Sequence, residues 1–165
     1  MTRTRIIRLI VCLALGIVIA AGFIRLHPRV NAWWALRPLD GAERYELFSL
    51  EPWMGVPAPG AGWFCNHAIL GRVVITDRAV QDRLNTALRA GAWESDGSVG
   101  ACFNPRHGIR VTHAGVNTDY LICFECRQVQ VWRDGKLSHT FLTAPTPQPP
   151  FDDVLRAAGV PLPSH

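Results

Sequence analysis

The pattern of hydrophobic and polar positions divides the chain into an apolar N-terminal run and a longer part in which strand and helix periodicities alternate. No charged residue occurs from Leu9 to Ile24, and an arginine flanks this run on each side. A helix that spans a bilayer needs about 20 apolar residues, or about 17 at the short end. Residues 6–26 reach that length if the arginines extend to the headgroups and contact the membrane. The pattern therefore predicts that residues 1–26 are a membrane anchor, with a cleaved signal segment as the alternative.

The next stretch, residues 27–42, is predicted to be a juxtamembrane linker that leads to a single domain over residues 43–165. Trp33 and Trp34 in this linker fit two interpretations. Indole rings favour the interface between membrane and water, but two adjacent tryptophans also fit the start of a hydrophobic core.

The domain itself is predicted to be α+β. Asp77 is a suitable N-cap for a helix that ends at Gly91, and a short second helix follows at residues 151–158. Asp134-Gly135 is typical of a two-residue hairpin turn. The order of elements predicts a transmembrane helix followed by a small antiparallel sheet with two helices packed on it. Alternating and β-branched residues predict strands over residues 44–50, 68–75, 108–113, 119–126 (continuing to 132) and 136–142.

The hairpin between the third and fourth of these strands allows a first placement of side chains. If Val116 is the centre of the turn, His107 lies opposite Glu125 and Arg106 lies opposite Cys126. Side chains that face each other directly have Cβ atoms about 5 Å apart. This register predicts a cluster at one end of the hairpin, and a slip of one residue would disperse it.

The distribution of charge along the chain argues against nucleic acid as a partner. All 13 acidic residues follow position 39, whereas five of the 17 basic residues lie within the first 34 positions. The remaining 12 basic and 13 acidic residues nearly balance, so the net charge of +4 belongs to the N-terminal segment. Because the domain has no basic stripe, nucleic acid is not predicted as a partner.

The candidate chemistry lies in Cys102, Cys123, Cys126 and His107, together with Cys65 further upstream. Disulfides are one interpretation, and four cysteines allow three pairings. A bond between Cys123 and Cys126 requires a bulge or a turn, because side chains three apart point to opposite faces of a regular strand. Bonds from either of them to Cys102 or Cys65 are easier.

Three other interpretations remain open for these cysteines. Cys-x-x-Cys with Cys102 and either His107 or Cys65 has the ligand types of zinc. Redox chemistry fits less well, because the pair lies in a β-rich run and not at a helix N-terminus. Free cysteine is also an ordinary buried core residue.

Two residues beside the cysteines have alternatives of their own. His107 is either a ligand or general base beside Glu125, or a loop residue that hydrogen-bonds its surroundings. Arg106 either binds an anion or partner, or pairs with Glu125.

The strings Cys102-Phe-Asn-Pro-Arg-His-Gly108 and Ile122-Cys-Phe-Glu-Cys126 resemble those of a family of uncharacterised bacterial proteins that are membrane-anchored or secreted. The similarity covers residues 63–161. The family has no assigned activity, so the resemblance implies a shared fold and not a function. In the family's pattern a histidine occupies the position of Cys65, an exchange that zinc tolerates, and a disulfide to Cys65 is therefore not a family trait.

The predicted function is a non-enzymatic, membrane-anchored binding module stabilised by its cysteines, with an unknown envelope protein or a small ligand as its partner. One alternative is a zinc-binding domain that uses the Cys/His cluster. The second is a small enzyme with His107, Arg106 and Glu125. The predicted location is the bacterial inner membrane, as a single-pass protein with a periplasmic C-terminal domain, or outside the cell if the leader is cleaved.

Overall fold

Seven strands form one antiparallel sheet in the order β2-β3-β1-β4-β5-β6-β7, and the sheet curls into a half-barrel. The computed structural model describes residues 29–53 and 59–163, together with Cys12, Leu13, Gly16 and Pro57. Residues 29–35 are helical and lead into a 3-10 turn at Arg37–Leu39. The strands and longer helices that follow are β1 (Arg44–Leu50), β2 (Trp63–Phe64), β3 (His67–Val74), α1 (Arg78–Glu94), β4 (His107–His113), β5 (Val116–Cys123), β6 (Gln128–Arg133), β7 (Lys136–Leu142) and α2 (Gln148–Ala157).

Several local predictions are confirmed. β1 has the predicted bounds, and the side chain of Asp77 caps α1 by accepting a hydrogen bond from the Ala79 backbone N–H at 2.8 Å. Asp134 and Gly135 have φ of 50° and 71° and form the turn between β6 and β7. These features depend on adjacent residues only, which is why the sequence pattern predicts them.

The end of α1 differs from the prediction, because the helix continues three residues beyond Gly91 to Glu94. A Cβ atom at Gly91 would collide with the side chains of Pro147 and Thr143. Gly91 therefore permits a close approach between α1 and the chain that leads into α2, and it does not end the helix.

The main core lies between one face of the sheet and the helices. Leu84 and Leu88 of α1 and Phe151 and Leu155 of α2 are fully buried there against Tyr45, Leu47, Ile109 and Tyr120 of the sheet. Two hydrogen bonds from buried tyrosines join the layers. Tyr45 donates to Asn85 Oδ1 at 3.1 Å, and Tyr120 donates to the Ala35 carbonyl at 2.8 Å, so that neither hydroxyl is left unsatisfied in the core.

The opposite face of the sheet carries a smaller apolar cluster and a set of ion pairs. Arg110 makes two hydrogen bonds with Asp119, at 2.7 and 2.6 Å. Glu46 is buried, and the hydrogen bond from Arg44 outweighs the effect of burial and lowers the pKa of Glu46. The apolar cluster consists of Phe48, Leu50, Phe64, Ile69 and Leu121.

The predicted fold class is corrected by this architecture. The expectation of a small sheet with two helices gives way to a curled sheet of seven strands. The run predicted as one strand over 119–132 is two strands, because the chain reverses direction at residues 124–127. Arg127 has φ of 58° in this turn, a conformation that is uncommon outside glycine, so the residue types there do not mark the reversal.

The predicted transmembrane helix is also corrected. Among the described residues, no helix has both the length and the apolar character needed to cross a bilayer. For the described residues, this finding contradicts the predicted transmembrane helix and the single-pass inner-membrane location that depends on it. The uncharged run from Leu9 to Ile24 reaches the roughly 20 residues of a span only if Arg8 and Arg25 extend to the headgroups. Of that run only Cys12, Leu13 and Gly16 are described, and the rest lies outside the described residues.

The segment predicted as a linker contributes to the core. Ala32, Ala35, Leu36 and Leu39 are buried there, at the spacing of one helical face. The tryptophans between them behave differently, since Trp33 and Trp34 are each about half exposed.

Candidate functional site

The β4–β5 hairpin decides where the predicted cluster lies. Its turn is Ala114-Gly115, with φ of 49° and 75°, and His113 pairs with Val116. The hairpin is therefore shifted by three positions from the predicted register. His107 lies opposite Ile122 and not opposite Glu125.

His107 is buried between the sheet and α2. It is 1% exposed, and its Nε2 atom lies 2.8 Å from Oδ1 of Asp152. The imidazole packs between Phe124 and Phe151, with ring centroids 5.3 and 6.0 Å away. Its Nδ1 atom is buried and has no hydrogen-bond partner among the described residues.

Two opposed effects act on the pKa of Asp152. Burial alone would raise the pKa of this carboxyl group, but the hydrogen bond and charge of His107, together with the charge of Arg156, outweigh burial and lower it. Asp152 is therefore held as a carboxylate beside the imidazole. This pairing joins residues 45 positions apart, and no local sequence pattern indicates it.

Arg106 pairs with Glu125 at the surface. Nη1 of Arg106 lies 2.6 Å from Oε2 of Glu125, whose side chain is largely exposed. The structure thus places Arg106 and Glu125 together but directs His107 to a different partner. The cavity that these residues line with Cys123 has a volume of about 10 Å³, which holds at most one water molecule, so no organic substrate fits beside His107.

Cys123 and Cys126 form a disulfide across the turn between β5 and β6, with Cα atoms 5.1 Å apart. The turn at residues 124–127 supplies the departure from strand geometry that this bond requires. The Cys126 N–H donates to Cys123 Sγ at 3.0 Å, and the Asn104 N–H donates to Cys126 Sγ at 3.3 Å. We call this region the disulfide corner, and it comprises Cys123, Phe124, Cys126, His107, Phe151 and Asp152.

The other predicted cysteines are free thiols in two different places. Cys102 is exposed on the loop before β4. Cys65 is in the turn between β2 and β3, with its Sγ atom 3.6 Å from Oδ2 of Asp119. Burial, and then the negative charge of Asp119, raises the pKa of Cys65 to about 12, so this thiol stays protonated at neutral pH.

The zinc set predicted from Cys102, Cys123, Cys126, His107 and Cys65 is not assembled. Within the part of the chain that the structure describes, no three histidine, cysteine, aspartate or glutamate side chains are grouped so that they could hold a metal ion. The two cysteines of the disulfide have no thiolate to offer, and His107 is directed to Asp152.

A second region was not predicted as a site. We call it the tryptophan groove, and it lies between the helical residues 29–35 and α1. Its volume is about 280 Å³, and its surface is almost entirely apolar. The guanidinium of Arg29 lies over the Trp93 ring, 4.5 Å from the centroid. The groove is lined by Arg29, Val30, Trp33, Leu36, Arg89 and Trp93.

A wider and more polar cleft of about 590 Å³ lies next to this groove, and Trp34, Arg37 and Arg133 line it. Arg37 stacks on both Trp33 and Trp34, at 5.3 and 4.9 Å from their centroids. Arg89 is held differently, because it donates to Asp40 at 2.8 Å and to the Leu36 carbonyl at 3.0 Å. Four arginines and one aspartate therefore line the two depressions together.

The sequence does contain a signal for the tryptophan groove. Ala32, Ala35, Leu36 and Leu39 recur at helical spacing and direct one face into the core, which leaves Trp33 at the edge of that face. Trp93 is likewise adjacent to the buried Ala92 at the end of α1. Two tryptophans at the borders of two buried helical faces predict an aromatic surface between the helices.

Comparison of the chain with protein-family models, with curated proteins and with solved structures finds no match. The resemblance to an uncharacterised bacterial family therefore stays a prediction.

Proposed function

We propose that the protein is a binding module, and that the tryptophan groove docks an apolar segment of a partner protein that also carries acidic residues. The observation that carries the proposal is the exposure of large apolar side chains on one surface. Trp33 is 52% exposed and Trp93 59%, and Val30 beside them is 48% exposed. Apolar patches of this kind are typical of interaction sites.

The residue types favour a protein as the occupant. Tryptophan and arginine are the side chains most enriched among residues that dominate binding energy at protein interfaces. Here two tryptophans and two arginines line one open groove. The groove lies between two helical segments and is apolar, a surface that suits the apolar face of an amphipathic segment.

The arginines at the groove indicate the charge that its partner carries. Arg29 and Arg37 contact tryptophan rings, and within the described ranges no carboxylate is paired with either of them. An acidic group on the partner would gain a charge-assisted contact there. Complementary charge mainly accelerates association and selects the partner, so we assign to the partner an apolar stripe flanked by Asp or Glu.

The test uses a defined probe. An amphipathic peptide of about 18 residues, with Leu at i, i+3, i+4 and i+7 and Glu elsewhere, is labelled and titrated with the full chain while fluorescence anisotropy is recorded. A matched peptide with Lys in place of Glu reports the effect of charge. We expect Trp33→Ala and Trp93→Ala each to weaken binding of the acidic peptide by about tenfold or more.

The matched control is Trp63→Ala, because Trp63 is 60% exposed but lies on β2, outside the groove. It should leave the affinity unchanged within about twofold. Equal losses at Trp63 and Trp33, or no binding of the acidic peptide, contradict the proposal. If instead the free chain forms a dimer by light scattering and Trp33→Ala abolishes it, the groove belongs to a second copy and the proposed partner is wrong.

A further inference from the structure

The loop before β4 is fastened to the disulfide at two points. The Gly100 N–H donates to the Cys126 carbonyl at 2.9 Å, and the Asn104 N–H donates to Cys126 Sγ at 3.3 Å. A Cβ atom at Gly100 would lie 3.1 Å from Cys126 Cα, so a side chain there would push the loop away. Cys102 lies midway between these two contacts, and consecutive Cα atoms are about 3.8 Å apart. Cys102 is therefore on a loop segment that is fastened to Cys126 on both sides.

The surroundings of the disulfide favour one direction of cleavage. If the bond breaks with its electrons on Cys123 Sγ, the Cys126 N–H already donates to that atom at 3.0 Å. The only backbone N–H that donates to Cys126 Sγ among the described residues, that of Asn104, lies farther from its sulfur, at 3.3 Å. Arg106 lines the same small cavity as Cys123, together with Glu125, with which it pairs. A hydrogen-bond donor beside a sulfur stabilises its thiolate, and a stabilised thiolate is the better leaving group.

We propose that Cys123–Cys126 is a redox-active disulfide and that Cys102 is the thiol that opens it. The Cys102 thiolate attacks Cys126 Sγ, a Cys102–Cys126 bond forms and the Cys123–Cys126 bond breaks. The electron pair leaves on Cys123 Sγ, which takes up a proton in place of the one that Cys102 lost. One disulfide is present before and after this exchange, so it consumes no oxidant or reductant.

The exchange changes where the disulfide can be reached. Cys123 and Cys126 are 2% and 4% exposed, so an external thiol has little access to either sulfur atom. Cys102 is exposed, and a bond that includes its sulfur offers an attack point to a thiol from outside. A monothiol such as glutathione then attacks Cys102 Sγ and releases Cys126, and a second one restores the Cys102 thiol, leaving Cys123 and Cys126 reduced. Cys102 is thus the entry point for reduction of a buried bond.

The first experiment measures the rate at which reduced glutathione reduces the disulfide in the full chain, by quenched alkylation and intact mass. Every sample carries Cys12→Ser, because Cys12 is a further exposed thiol. We expect Cys102→Ser to slow reduction by about tenfold or more. Cys65→Ser is the matched control and should leave the rate unchanged, because the pKa of Cys65 is raised to about 12. Equal rates for Cys102→Ser and its parent overturn the proposal.

The second experiment tests which sulfur is attacked. The Cys123→Ser and Cys126→Ser chains are each treated with oxidised glutathione, and their disulfides are mapped by peptide mass. We expect an intrachain Cys102–Cys126 bond in the Cys123→Ser chain, and glutathione retained on Cys102 in the Cys126→Ser chain. The opposite pattern, or no intrachain bond in either chain, contradicts the assignment of Cys126 as the attacked atom.

Discussion

The tryptophan groove and the disulfide corner differ in how far their large rings are exposed to water. At the groove, Trp33 and Trp93 each leave more than half of their surface in water, whereas at the corner Phe151 and His107 are almost completely buried. Rings at the corner also have fixed partners, since His107 packs against Phe151 and pairs with Asp152. The rings of the groove contact arginine side chains, and Trp33 also packs against Trp34.

We infer from this difference that the disulfide corner contributes to the stability of the fold and the tryptophan groove to binding. Burying a large apolar side chain contributes about 1.5–3 kcal/mol to folding, so the rings of the disulfide corner stabilise the domain. A ring that remains in water contributes little to folding, but it can still be buried by a partner. We therefore expect changes at the corner to lower the free energy of unfolding, and changes at the groove to weaken binding.

The largest expected effect is at Phe151, which is fully buried against Phe124 and His107. Phe151→Ala removes most of the ring and leaves a cavity, which should lower the free energy of unfolding by about 3–5 kcal/mol. Urea denaturation followed by far-UV circular dichroism measures this loss. If the variant does not fold, Phe151→Leu is measured in its place, with an expected loss of about 1 kcal/mol. A loss below 0.5 kcal/mol for Phe151→Leu would contradict the packing role.

Removal of the disulfide should have a smaller effect. The bond joins residues only three apart in sequence, so it restricts a short loop in the unfolded chain. We expect Cys123→Ser with Cys126→Ser to lower the free energy of unfolding by about 2 kcal/mol, measured under oxidising conditions. Cys102→Ser is the control, because its thiol is exposed and its replacement should change stability by less than about 0.5 kcal/mol. A larger loss for Cys102→Ser than for the double variant would contradict the claim that the disulfide, and not the Cys102 thiol, stabilises the fold.

The pairing of Asp152 with His107 predicts a pH dependence. Burial tends to raise the pKa of Asp152, but His107 and Arg156 lower it overall in the folded state, below the unfolded value of about 3.9. The stabilisation is therefore present above the unfolded pKa and is lost as pH falls through the lowered folded pKa. We expect Asp152→Asn to cost about 1 kcal/mol at pH 7, and the difference from the parent to shrink below pH 4. Urea unfolding at several pH values tests this. If the stability difference between Asp152→Asn and the parent grows in acid, the predicted direction of the pH dependence is wrong.

The smallest effect on stability is expected at the groove. Trp33 is about half exposed, and its main partners are Trp34 and Arg37. Trp33→Ala should change the free energy of unfolding by less than about 1 kcal/mol, since an exposed cation–π contact contributes about 0.5–1 kcal/mol. A loss of several kcal/mol in the same urea titration would mean that Trp33 is a core residue, and the groove would lose its distinction from the corner.

The sequence predicts features that depend on neighbouring residues and fails where distant residues meet. The bounds of β1, the Asp77 cap and the Asp134-Gly135 turn all follow from local residue types. The turn at residues 124–127 contains no glycine, proline or asparagine, so only the disulfide that closes it marks the reversal. Without that turn, the run over 119–132 reads as one strand and the sheet is predicted too small.

The candidate site was also predicted only in part, because some of its contacts join residues that are distant in the sequence. The sequence brings attention to His107, Arg106 and Glu125, but only Arg106 and Glu125 pair with each other. The partner of His107 is Asp152 on α2, 45 positions away, and its approach depends on how α2 packs on the sheet. The tryptophan groove depends likewise on the packing of residues 29–35 against α1, although the helical spacing of the neighbouring core residues indicates which side stays open.

The most direct test of this account measures stability and binding in the same two variants. The free energy of unfolding in urea and the affinity for the acidic amphipathic peptide are determined for Trp33→Ala and Phe151→Leu beside the parent chain. We expect Trp33→Ala to keep its stability and lose about tenfold or more in affinity, and Phe151→Leu to lose about 1 kcal/mol of stability and keep its affinity. If both variants lose stability and affinity together, the groove and the corner are one structural unit, and the assignment of binding to the groove is wrong.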